Sequence, residues 1–178
     1  NDAYHGVINA VNILIEKKKV YFLSNSPRPN TDVRETLSSY GISNISKQMI
    51  ITSGDVARNL IKSELIYAND SSISIYHLGN SNVHKAILKD LNYKIVNKLD
   101  EANFFLLSLH LEEEQDTTEY DHLFNEIAEK EITTICVNPD KTIPVNGRIR
   151  YCPGYFAEKI EQFGGKVIYT GKPHSEIF

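Results

Sequence analysis

The stretch Val20-Tyr21-Phe22-Leu23-Ser24-Asn25-Ser26-Pro27-Arg28-Pro29-Asn30 decides how the fold is read. Four apolar residues run into a polar loop stiffened by two prolines, the profile of a short buried strand emerging at a sheet edge. Ahead of it, Val7, Ile8, Val11, Leu14 and Ile15 share one helical face. The opening therefore reads helix then strand, with the strand over 19–23. A late counterpart, Tyr169-Thr170-Gly171-Lys172-Pro173-His174, also follows an apolar run.

Outward from this strand the pattern alternates. Thr31 and Asp32 are candidate caps of a helix that Gly41 ends. The run 49–52 predicts a second strand, and Val56, Leu60, Ile61 and Leu65 predict a helix after Ser53-Gly54-Asp55. A strand over 73–78 and a helix over 82–91 follow. Later segments read as strands at 104–109 and 132–137, a helical face of Tyr120, Leu123, Phe124, Ile127 and Ala128, and a tight turn at Asn146-Gly147. Pro153-Gly154 opens a helix that Gly164-Gly165 closes before a strand at 166–169. Strands alternating with helices through compact connections predict an α/β fold, a mainly parallel sheet covered on both faces. Ligands then bind beyond the carboxyl ends of strands, where Ser24 and Asn25 stand.

Composition narrows the function classes. The chain has 178 residues, 41% of them hydrophobic, enough to bury a core. Its formal charge of -4, from 19 basic and 23 acidic residues, supplies no broad positive field, so nucleic acid is not expected as a partner. No apolar run reaches the length of a membrane span, and the first residues lack a secretion-signal pattern. The two cysteines, Cys136 and Cys152, suit a reducing compartment; Cys136 sits in an apolar run and reads as core. A cytoplasmic protein without a membrane segment is the expectation. The six histidines show no ligand spacing, and no GxGxxG or GxxxxGK[ST] motif is present, so a metal site and a nucleotide-binding module are not expected from motifs.

The chemistry-bearing candidates each have two readings. The Ser24 hydroxyl and Asn25 amide, with exposed backbone N–H groups, can donate to phosphate oxygens, or can cap a strand-to-loop transition. Arg28, between two prolines, can clamp a phosphate or carboxylate, or can be a solvated arginine. Lys172, after a strand and a glycine, can reach the same sheet end and offset phosphoryl charge, or can be a surface lysine. Asn138-Pro139-Asp140 ends a strand as a possible substrate-side element or as a turn closed by Asx hydrogen bonds.

Taken together and in order, Phe22-Leu23-Ser24-Asn25-Ser26-Pro27-Arg28-Pro29, Asn138-Pro139-Asp140, Cys152-Pro153-Gly154 and Gly171-Lys172-Pro173-His174 resemble the haloacid dehalogenase (HAD) superfamily. The branch they resemble is class IIA, the NagD-like or 4-nitrophenylphosphatase-like phosphatases. Gly6-Val7-Ile8, Ile51-Thr52-Ser53-Gly54-Asp55 and Tyr76-His77-Leu78-Gly79 extend the match over the whole chain. The resemblance implies a Rossmann-like core at 1–96 and 152–178 with an inserted C2-type cap at 97–151. It implies Ser24, Asn25 and Lys172 as phosphate-binding, with Ser24 and Lys172 catalytic, and Arg28, Asn138 and Asp140 as substrate- or cap-side residues.

It also implies a small phosphate monoester as substrate, Mg²⁺ as cofactor of the complete protein and an aspartyl-phosphate intermediate. A homodimer is a further implication. The family's nucleophile and acid/base aspartates fall ahead of the segment matched by Tyr4-His5-Gly6, and its acidic fourth motif beyond Phe178. Asp2 lies in a loop before the first helix and is not expected to replace them. The expectation is thus a piece of a phosphatase that is inactive by itself and holds no metal site of its own. The alternative is a non-enzymatic, anion-binding scaffold. A sheet without its central strand is expected to expose apolar surface.

Overall fold

A computed structural model of the chain describes residues 3–67 and 72–178; Asp2 lies outside them. In chain order the elements are α1 (Val7–Lys17), β1 (Phe22–Ser24), α2 (Asn30–Ser39), β2 (Ile50–Thr52), α3 (Ser53–Tyr67), β3 (Ile73–Gly79), α4 (Ser81–Ile87) and β4 (Tyr93–Val96). They continue with β5 (Phe104–Ser108), β6 (Leu111–Glu112), α5 (Asp121–Glu129), β7 (Thr134–Cys136), β8 (Thr142–Val145), β9 (Arg148–Tyr151), α6 (Pro153–Gln162) and β10 (Val167–Tyr169).

The strands form three sheets. β1 and β2 pair in parallel, with Ser24 opposite Thr52. A five-stranded parallel sheet has the order β10-β7-β5-β3-β4. A small antiparallel sheet has the order β6-β9-β8. The α/β class expected from the alternation is therefore observed.

The side-chain period of two explains how the large sheet is covered. On β5, Phe105 and Leu107 join Cys136 of β7 under Phe124 and Ile127 of α5 and Phe156, Ala157 and Ile160 of α6. The intervening Leu106, with Ile135 and Val137, faces Ala57 and Ile61 of α3 and Ile87 of α4. Phe105, Leu106 and Leu107 are all fully buried, as a continuous apolar run in a doubly covered strand requires. Cys136 is core, as expected.

The division expected at 97 and 151 does not follow the sheets. β3 and β4 before the first boundary, β5 and β7 between the two, and β10 after the second are hydrogen-bonded into one layer. The reason is physical: β5 pairs with β3 over five residue positions, so a boundary between them would cut through the densest backbone pairing of the fold. The break between layers falls instead at β2–α3 and after β10.

Two local expectations are also corrected. Neither Thr31 nor Asp32 caps α2, which starts one residue earlier. Its Asn30 N–H donates to Oδ2 of Asp55 on α3 at 3.0 Å, while the Thr31 hydroxyl donates to Asp32 at 3.1 Å. The helix expected over 82–91 closes at Ile87, capped at its start by Asn80, whose side chain accepts from Asn82 N–H. The Asn146-Gly147 turn does join β8 to β9, with φ of 51° and 79°, the paired positive values of a type I′ hairpin.

Candidate functional site

The site grows from two loops that the fold carries to one place. β1 ends at Ser24, and the chain after β10 returns beside it. The Lys172 N–H donates to Asn25 Oδ1 at 2.7 Å, and Asn25 Nδ2 donates back to the Lys172 carbonyl at 3.1 Å. The Lys172 ammonium donates to the Leu23 carbonyl at 2.9 Å. An ammonium has three donors, so two remain for an anion beside β1. Sequence reasoning placed Lys172 next to Ser24 and Asn25, and the geometry brings these residues together.

A third loop closes the group. Asn25 Nδ2 also donates to Asp140 Oδ1 at 2.9 Å, and the Asp140 N–H donates to Asn138 Oδ1 at 2.9 Å. Asn138 is buried and closes an Asx turn, while Asp140 reaches the β1 loop. Both polar atoms of the Asn25 side chain are thus engaged, and it acts as a three-way clamp on Lys172 and Asp140. Ser24 accepts the Ser26 N–H at 3.2 Å, which leaves its own hydroxyl proton available to an anion. Arg28 is exposed and lies apart from the clamp: its side chain donates to Ser26 and Thr36 hydroxyls, each at 3.4 Å.

Close approach of backbones fixes these loops. A Cβ on Gly171 would stand 2.7 Å from Asn25 Oδ1 and 2.7 Å from Pro139 Cδ, so glycine alone lets the Lys172 segment pass between the two loops. Beneath it, the Thr170 and Ser53 hydroxyls lie 2.9 Å apart in full burial, and Thr170 donates to the Cys136 carbonyl at 3.0 Å. Nothing in the sequence pattern singled out Thr170 or Ser53, since the partners stand 117 residues apart.

A second polar cluster lies at the carboxyl ends of β3 and β5. His77 Nε2 is 2.8 Å from Ser108 Oγ, and the Nδ1 atoms of His77 and His84 are 3.0 Å apart. His110 Nδ1 stands 3.1 Å from the Ser108 carbonyl. Burial, then the nearby His84, pushes His77 down to about 4, and burial also lowers His84 and His110. The neutral imidazole is therefore the folded form at neutral pH. As pH falls below 6.5, the unfolded chain takes up the His77 proton first, so folding stability is lost between about 6.5 and about 4. A urea midpoint that drops from pH 7.5 to pH 5, with a smaller drop in His77→Gln, is the expected result. Equal drops in both chains would remove His77 from the explanation.

The parallel α/β layers and the loops meeting at Lys172 define a Rossmann-like protein with its polar site at strand carboxyl ends. The chain belongs to the haloacid dehalogenase-like hydrolases, whose family sequence model matches residues 1–94. A haloacid dehalogenase-like hydrolase from Brucella suis superposes with a TM-score of 0.79 at 28% identity, covering 99% of this chain and 63% of that one. A p-nitrophenyl phosphatase from Archaeoglobus fulgidus gives 0.71 at 21%, covering 96% and 62%. A glycerol phosphate phosphatase from Mycobacterium tuberculosis, solved with calcium, gives 0.71 at 14%, covering 99% and 50%. The chain therefore spans between half and two thirds of these proteins. No curated protein sequence matches it. Among the described residues, no helix is long and apolar enough to cross a membrane.

Proposed function

We propose that this chain forms the phosphate-binding part of a phosphatase acting on small phosphate monoesters, of the NagD-like class IIA branch. The observation that carries the reading is the clamp at Asn25. It holds the Lys172 backbone on both sides while the ammonium, bonded once to Leu23, keeps two donors for phosphoryl oxygens. The Ser24 hydroxyl supplies a further donor from the end of β1. Fixed donors aimed at developing negative charge are the largest catalytic contribution an enzyme of this kind can draw from its scaffold. The likeness to a p-nitrophenyl phosphatase and a glycerol phosphate phosphatase supports the substrate class.

The sheets support a C2-type cap larger than 97–151. In this division residues 53–170, with the five-stranded and three-stranded sheets, are the cap, and 3–52 with 171–178 are core. Asp140, from the cap, then touches Asn25 of the core, which gives the cap a hand in placing substrate.

Mg²⁺ belongs to this proposal as the cofactor of the complete protein. Among the described residues no three His, Cys, Asp or Glu side chains converge, and the one carboxylate at the clamp, Asp140, is already bonded to Asn25. These residues do not make a Mg²⁺ site, which calls for a set of oxygen ligands, so no step is routed through the ion.

The test is phosphate release from a panel of monoesters with Mg²⁺, by this chain and by the chain extended with its flanking coding sequence. Activity confined to the extended chain is the expected result. Inactivity of both, with folded protein in each case, would falsify the phosphatase reading and leave the anion-binding scaffold. The exposed Val7, Ile13 and Leu14 of α1, a helix that buries none of its residues, fit a sheet that lacks its central strand and are shared by both readings.

A further inference from the structure

We propose that His77 on β3 and His84 on α4 form a two-nitrogen site for a d-block divalent cation that prefers right-angled ligands, Cu²⁺ or Ni²⁺ in its chemistry, with Ser108 as the residue that positions it. The site stands apart from the phosphatase reading, because Mg²⁺ calls for oxygen ligands.

Strand and helix bring the two rings together. A period of two puts His77 on the side of β3 that carries Ile73 and Ile75, against α3 and α4. On α4, His84 and Ile87 lie one helical turn apart and are both buried. The two histidines are 7 residues apart, on either side of the Gly79-Asn80 turn. They match no linear ligand spacing, which is why motif reading passed over them.

Their geometry is that of two ligands of one ion. The Nδ1 atoms are 3.0 Å apart. Two nitrogens each about 2.1 Å from an ion lie about 3 Å apart when they meet it at right angles and about 3.4 Å apart in a tetrahedron. The observed spacing selects the right angle, the preference of Cu²⁺ and Ni²⁺. The ring centres are 4.4 Å apart, with the planes at 62°. Nitrogens aimed head-on would add a full ring radius at each end, and the centres are closer than that. The two ring edges therefore slant towards a common point beside the line that joins them.

Ser108 meets the second requirement of such a site. A ligating histidine donates its other ring N–H to a fixed acceptor, which sets the tautomer. His77 Nε2 stands 2.8 Å from the Ser108 hydroxyl, and Ser108 is fully buried. A Cβ on Gly79 would stand 2.4 Å from that hydroxyl oxygen, so glycine keeps its place open. With Nε2–H on Ser108, His77 Nδ1 carries a lone pair, and the one proton between the Nδ1 atoms belongs to His84. When an ion enters, that proton passes to His84 Nε2. The ring stays neutral and both Nδ1 lone pairs face the metal. Among the described residues no group of three His, Cys, Asp or Glu side chains forms here, so water completes the shell. Both cysteines are buried and offer no competing thiol.

The test adds Cu²⁺ to the full chain at neutral pH, followed by electron paramagnetic resonance and histidine ring NMR, with Mg²⁺ as the comparison. The expected result is one tetragonal site coupled to two nitrogens. At substoichiometric Cu²⁺ the first ring signals to vanish are expected to be the pair linked by cross-relaxation across 4.4 Å, an assignment that needs no variant. Ser108→Ala is expected to weaken binding by about 10- to 100-fold, the range for removing the hydrogen-bond partner of a ligand. His84→Phe is expected to abolish it, and His122→Phe, at an exposed position, to leave it unchanged. Coupling to fewer than two nitrogens, earlier loss of other histidine signals, or displacement of Cu²⁺ by equimolar Mg²⁺ overturns the proposal. Equal affinity in the wild-type and Ser108→Ala chains would remove Ser108 from it.

Discussion

Replacing Gly154 by alanine is expected to lower the unfolding free energy by about 3 kcal/mol, the upper end for overpacking a filled site. The added Cβ would stand 2.1 Å from the Pro139 carbonyl oxygen and 2.7 Å from that of Asp140. Both obstacles are backbone, so no side-chain rotation relieves them. The Gly154 N–H also donates to the Asp140 carbonyl at 3.1 Å, which prevents the first turn of α6 from backing away. Denaturant titration of the two chains measures the effect, and a difference below about 0.5 kcal/mol, the range of neutral surface changes, would show that the loop yields. Because the displaced loop carries Asp140, the Asn25 amide resonances are expected to move as well.

Replacing Lys172 by alanine is the second. In the extended, active chain the expected loss is about 10²- to 10³-fold in kcat, the range for removing one fixed donor to developing negative charge. The backbone bonds between Lys172 and Asn25 survive the change, since they use only the main chain of residue 172. The ammonium bond to Leu23 is exposed, so stability is expected to fall by no more than about 1 kcal/mol. Measuring kcat and the urea midpoint together separates the two effects. Unchanged kcat would show that Lys172 holds a loop and nothing more.

Much of this was legible in the sequence because it depends on local patterns. The apolar runs at 104–109 and 132–137 read directly as buried strands, since β5 and β7 are covered on both faces. The Gly171-Lys172-Pro173 segment and the Ser24-Asn25 end of β1 each announced a loop beyond a strand. β4 was missed because it is an edge strand with Lys94 and Ile95 exposed, which erases the apolar signal. β6 was missed because it is held by cross-strand pairs such as Glu112 with Arg150, whose partners stand far apart in the chain. β8 and β9, though joined by the Asn146-Gly147 turn, bury no residue and so carry no apolar run.

The site divides the same way. That Lys172 would reach the sheet end where Ser24 stands followed from its place after a strand and a glycine, but Asn25 as a clamp bonded to three groups could be seen only once the loops were in place. Residues 53–96 carry the same strand and helix texture as the segment before them, so nothing in the sequence signalled that β3 pairs with β5 rather than with β1. Texture does not say which sheet a strand joins. The hydrogen-bonding of β3 to β5 does.

The chain crosses from the two-stranded sheet to the five-stranded one at Ser53 and returns at Thr170, and those two residues share a buried hydrogen bond. Both crossings therefore lie on one pivot. Separating the two layers there would strand two buried hydroxyls in the core. The Asn25–Asp140 bond ties the same two layers together a second time, beside Lys172.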